Sequence, residues 1–169
     1  MKIKNLEDLF LSEVRDIFDA EKQLVKALPK MARAACTDEL RAGFEEHLEQ
    51  TRNHVARLEK VFELIGQKAR GKTCEAMKGM IEEGKELIDE KGESAAKDAG
   101  LIAAAQKVEH YEIATYGCLA TWARQMGRAD CAHLLHETLD EEKATDEKLT
   151  QLAEGMINAE AQYPAGAMA

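Results

Sequence analysis

Four long segments of this chain repeat apolar residues at helical period, and each repeat is broken by a polar residue where a core side chain should be. The clearest case is AQKVEHYEIATYGCLATWA at Ala105–Ala123. Its stripe runs Leu101, Ala105, Val108, Thr115, Leu119, Trp122 and Met126, and the place between Val108 and Thr115 belongs to Glu112. Glu109 lies one turn earlier beside the same stripe. A buried carboxylate is costly unless it is neutralised, paired or bound to a cation. Two of them on one helix face repel, so a metal ion, a proton or an Arg is expected between them.

The other three segments repeat the pattern. The first is capped by Asn5 and carries Leu6, Leu9, Phe10, Val14, Ile17, Leu24 and Leu28, with Glu21 on the stripe and Pro29 expected to kink or loosen its end. The second is capped by Thr37 and stopped by Gly66. Its stripe is Leu40, Phe44, His47, Thr51, His54 or Val55, Leu58, Phe62 and Ile65, with Gln50 beside it. After a loop at Gln67–Thr73, Thr73 caps a shorter helix that ends near Gly92. Ser94 opens the segment containing Glu109 and Glu112, which ends at Gly127. The last long helix places Leu134, Leu135, Thr138, Leu139, Leu149, Leu152 and Met156 on its stripe, with Glu142 at the centre and Asp146 one turn on. Residues 1–159 read as one domain, and a frayed tail is expected from about Glu160.

Loop lengths set the architecture. Tight turns join the first and second long helices, and the third and fourth, so each pair is an antiparallel hairpin. The long connection between the pairs can cross the bundle, which predicts an all-α, ferritin-like four-helix bundle with a short fifth helix in the crossover. In each hairpin the polar intruders stand about fifteen residues from the turn, so they meet at one depth. Carboxylates and imidazole converging inside a four-helix bundle suit a pair of iron or manganese ions. The candidate ligands are Glu21, Gln50, His54, Glu109, Glu112, Glu142 and Asp146. The same residues are compatible with a metal-free bundle whose acids are protonated or paired with Arg and Lys.

Composition narrows the alternatives. The chain has 169 residues, two prolines and a formal net charge of −9, which favours helix and argues against nucleic acid as a partner. No long apolar run predicts a membrane span, and Glu7 and Asp8 interrupt any signal-peptide core, so a cytoplasmic protein is expected. Cys36, Cys74, Cys118 and Cys131 form no CxxC pair and read as free thiols.

DAEKQL at Asp19–Leu24, HLEQT at His47–Thr51, GKTCEAM at Gly71–Met77, VEHYEIATY at Val108–Tyr116 and LDEEKATDEKL at Leu139–Leu149 resemble the YciF/YciE family of ferritin-like bacterial stress-associated proteins. The resemblance spans Leu6 to Ala153. It implies a rubrerythrin-like bundle, a homodimer and a di-metal centre in which Glu21, Glu109, Glu112 and Glu142 match the family's acids. Position 50, usually Glu in that family, is Gln here, so either His54 compensates or one metal is held weakly or not at all. His47 is expected no closer than the second layer around the metals, and the ligation of Asp146 is open. The implied function is a stress-response protein holding iron or manganese and reacting with oxygen or peroxide. In that reading Glu112 or Glu142 bridges the ions and an external donor supplies electrons. The alternative is a metal-free helical dimer serving as an interaction or structural module.

Overall fold

The computed structural model describes residues 3–92 and 94–162. Its elements are α1 (Leu6–Ala34), α2 (Asp38–Leu64), α3 (Glu75–Asp89), α4 (Ala95–Gln125), α5 (Ala129–Leu152), a π-helical turn (Ala153–Ile157) and α6 (Asn158–Gln162), with no strand among the described residues. Asn5 caps α1 by accepting from the Asp8 amide at 2.8 Å, and α1 continues through Pro29 to Ala34. Gly66 and Gly127 take φ of +68° and +71°, which lets the chain turn back on the ends of α2 and α4. Gln67 N then reaches Phe62 O at 2.9 Å, and Arg128 N reaches Ala123 O at 2.8 Å.

Helices α1 and α2 form one hairpin, α4 and α5 the other, and they dock through α1 on α4 and α2 on α5. Helix α3 crosses over α1 and α4, completing the expected ferritin-like arrangement. Its cap is Cys74, whose Sγ accepts from the Met77 amide at 3.4 Å, one residue after the expected Thr73. No helix among the described residues is long and apolar enough to cross a membrane. Helix continues to Gln162, past the expected start of the tail, and residues 163–169 lie outside the described residues.

Two stripes depart from the sequence reading, each for a geometric reason. On α4 the core follows Leu101, Ala105 and Val108 but then passes to Tyr116, Leu119, Ala120 and Ala123, leaving Thr115, Trp122 and Met126 half-buried. A stripe stepping every 3.5 residues drifts by about 20° per heptad on a straight helix, so the buried face moves one residue later. After α5 the π turn inserts an extra residue. Ile157 becomes fully buried and Met156 is left 37% exposed.

One further buried acid organises the fold. Thr37 makes no side-chain cap on α2. Instead Asp98, in the first turn of α4, accepts from the Cys36 amide at 2.7 Å and the Thr37 amide at 2.8 Å. The first hairpin's turn is thereby tied to the start of the second hairpin. Replacing Asp98 with Ala strands two amides in a part-buried turn, so urea denaturation should show a loss of about 3 kcal/mol. Asp98→Asn should lose less.

Candidate metal centre

The misfit residues of the four stripes meet in one layer. Glu21 of α1 sits between the buried Ile17 and Leu24. His47 and His54 of α2 are two turns apart on one face, with Thr51 between them spending its hydroxyl on His47 O at 2.8 Å. Glu109 and Glu112 come from α4 and Glu142 from α5. All six are buried.

Their ligand atoms form two overlapping groups, His47–Glu109–Glu112–Glu142 and Glu21–His54–Glu142, each with its atoms within 4.8 Å of one another. Glu142 belongs to both. Its Oε1 lies 3.0 Å from His54 Nδ1, and its Oε2 lies 3.9 Å from His47 Nε2. His54 Nδ1 is also 3.4 Å from Glu21 Oε1, and His47 Nε2 is 3.2 Å from Glu109 Oε1. The Tyr116 hydroxyl donates to Glu21 Oε1.

Partners outside the group set how each imidazole presents itself. His54 Nε2 meets Glu141 at 2.8 Å, and Arg57 binds that same carboxylate through two contacts of 2.7 Å. His47 Nδ1 faces Gln50 Oε1 at 3.3 Å, and Thr145 Oγ1 donates to that oxygen at 3.3 Å. In the neutral form with a proton on each outward nitrogen, His54 Nδ1 and His47 Nε2 would turn their lone pairs inward. Outer acceptors commonly orient metal-binding histidines in this way.

The structure therefore redistributes the residues singled out in the sequence. Glu21, His54, Glu109, Glu112 and Glu142 converge. Asp146 lies outside both groups. Gln50 stands behind His47, while Asp146 takes Gln106 at 3.1 Å and the exposed His110 at 3.3 Å. His47, expected further out, stands among the carboxylates. Its signal was present in the sequence, since it lies on the α2 stripe seven residues before His54.

The group carries more acid than its imidazoles can balance. The inward nitrogens of His54 and His47 meet only carboxylate oxygens, while Glu21 Oε2, Glu109 Oε2 and both oxygens of Glu112 are buried without a hydrogen-bond partner. Such atoms are rare in folded proteins and call for an explanation. Burial is the largest influence on all four carboxyls and raises each above 4.5, Glu109 to about 8. For His54 burial opposes the charge, but contacts with Glu142 and Glu21 outweigh it and push the imidazole up to about 11. One imidazolium offsets one of four acids, so the metal-free group must retain protons. Two divalent ions would instead balance four carboxylates and leave both histidines neutral, a donor set that fits iron or manganese.

The fold and the buried group define a four-helix bundle with a carboxylate–histidine cluster at its centre. Residues 5–162 match the model of the domain of unknown function DUF892, and the chain belongs to that family. It is 48% identical to protein YciF of Escherichia coli K12 over 166 residues, covering 98% of this chain and all of that protein. The crystal structure of that stress protein superposes with a TM-score of 0.89 at 49% identity, covering 92% of this chain and 99% of the other. YcfI of Rhodopseudomonas palustris follows with a TM-score of 0.85 and 44% identity, covering 88% of this chain and 95% of its own. A Xanthomonas campestris protein at 21% identity and a TM-score of 0.71, covering 92% of this chain and 95% of its own, shares the fold.

The proton load gives a pH test. Glu109 has a folded value near 8 against 4.5 for the free side chain, so the folded state holds the extra proton. That stability is complete below about pH 4.5 and is lost as pH rises through 8. The raised His54 value acts in the same direction at higher pH. Melting of chelator-treated protein should fall from pH 5 to pH 8, by about 1.4 kcal/mol per pH unit for each proton retained. Glu112→Gln should raise stability at pH 8 and flatten the fall. A flat wild-type profile would remove the case for buried, uncompensated acids.

Proposed function

We propose that the chain is a stress-response protein whose bundle holds two iron or manganese ions and reacts with oxygen or peroxide. The observation that carries this reading is Glu142, shared between two buried ligand groups in which Glu21 Oε2, Glu109 Oε2 and both oxygens of Glu112 have no hydrogen-bond partner. Glu21 and His54 would serve one ion, His47, Glu109 and Glu112 the other, and Glu142 both. Redox-active ions held there would supply the electrons that reduce oxygen or peroxide.

The chain's own residues have separate tasks in this scheme. Tyr116 holds Glu21 in place, Glu141 and Gln50 orient the imidazoles, and Arg57 anchors Glu141. The space beside His47 and Glu109 is about 10 Å³, room for one water-sized molecule, which favours a small oxidant over an organic substrate. The stress role of the E. coli relative supports the same assignment. All four cysteines are free and no two of them form a CxxC pair, so the scheme takes its reductant from an external donor. It also includes a homodimer and a cytoplasmic setting.

The rival is a metal-free structural module, favoured by His54, which can sit as a cation between Glu21 and Glu142. That pairing leaves both oxygens of Glu112 without a partner. Elemental analysis of protein loaded with Fe²⁺ or Mn²⁺ and then desalted separates the two. Two ions per chain are expected, with Glu142→Ala losing both and Gln50→Glu still holding two. A wild type that retains no ion establishes the metal-free module.

A further inference from the structure

A second recess lies away from the carboxylates, between α1, α3 and α4, with a volume of about 390 Å³. That is within the size of small-molecule sites. Leu24, Ala27 and Met31 form one wall, Met80 and Ile81 the other, and Val108 closes the floor. Met80, Ile81 and Ile88 are only partly covered, so apolar surface from the crossover helix faces the recess without filling it. Methionine on both walls suits a flexible guest, since its unbranched side chain adapts to irregular shapes.

The rim carries the opposite character. Lys26 and Lys30 stand one turn apart on α1, and Lys85 faces them from α3. Lys85 pairs with Glu82 at 3.3 Å, whereas neither Lys26 nor Lys30 has an ion-pair partner among the described residues. In a chain with 32 acidic and 23 basic residues, two adjacent lysines without a carboxylate mark a local cationic edge. Asp89 is the one acidic residue of the lining, one turn after Lys85.

We propose that this recess binds a single-chain amphiphile with an anionic head, an alkyl carboxylate, with its chain along the α1–α3 wall and its carboxylate at Lys26 and Lys30. Apolar walls supply most of the affinity and the lysines its head-group selectivity. The recess is concave and enclosed by three helices, which suits a narrow chain better than the convex face of a second copy. It is separate from the metal centre. Leu24 and Val108 each lie one helical turn from Glu21 and Glu112, so a guest would rest behind the cluster without touching its carboxylates.

Isothermal titration with decanoate tests the assignment, with decyltrimethylammonium as the same chain bearing the opposite head. Decanoate should bind at one site per chain and the cation more weakly. The exposed double variant Lys26→Glu/Lys30→Glu should weaken decanoate by about tenfold, the loss expected for two exposed ion pairs, and reverse the preference. Ile81→Trp, at a half-buried wall position, should abolish binding of both while circular dichroism stays helical. No binding of decanoate, equal binding of both heads, or binding unchanged by Ile81→Trp overturns the proposal. If decanoate fails to bind and either variant converts a dimer to monomer in sedimentation, the recess is an interface between copies and the proposal is likewise overturned.

Discussion

The central constraint on this bundle is the confinement of four carboxylates and two imidazoles in one buried layer. Each acid replaces an apolar side chain on a core stripe, and among the described residues no Arg or Lys forms an ion pair with any of the six. Arg57, one turn from His54 on α2, is spent on Glu141 at the edge. Cationic side chains have thus been kept out of the centre while acidic ones have been gathered into it. A fold selected only for stability would do better with well-packed hydrophobic residues, because isolated buried charges are destabilising. The arrangement makes physical sense when the compensating charge comes from outside the chain.

The outer contacts show the same economy. Both imidazoles lie on α2 and both have an acceptor behind them, an acid for His54 and an amide for His47. A carboxylate behind an imidazole makes its inward nitrogen the more electron-rich of the two; an amide does so less. The two ends of the cluster are therefore chemically unequal, although each is built from Glu and His. Gln50 gives His47 an orienting oxygen without placing a charge behind it.

Much of this was legible in the sequence, because a carboxylate on an apolar stripe is visible without coordinates. Glu21, Glu112 and Glu142 each interrupt a clean repeat, and counting from the hairpin turns places them at one depth. The differences have identifiable causes. Gln50 and Asp146 lie close to the stripes but turn to the flanks, Gln50 toward His47 and Asp146 toward Gln106, a rotation that spacing alone does not resolve. A histidine on a stripe looks the same whether it fills space or faces acids from two other helices, so the sequence does not mark His47 as one of the group. The slip from Thr115 to Tyr116 comes from helical drift, and that from Met156 to Ile157 from a π turn with no evident local cue. Asp98 was missed altogether, since its partners are amides in a turn some sixty residues away.

That aspartate has a bearing on tolerance. Helices packed by apolar stripes can slide along one another at little cost, because one ridge resembles the next. A one-residue slip carries a side chain about 1.5 Å along the axis, whereas functional constellations must hold to about 0.5 Å. Hydrophobic packing alone is a coarse ruler for such a site. By gripping two successive amides of the opposite hairpin, Asp98 gives α4 a fixed zero point, and Glu109 and Glu112 are measured from it three and four turns further along the same rigid rod. A single polar contact at one end of the bundle thereby sets the alignment of the acids in its middle.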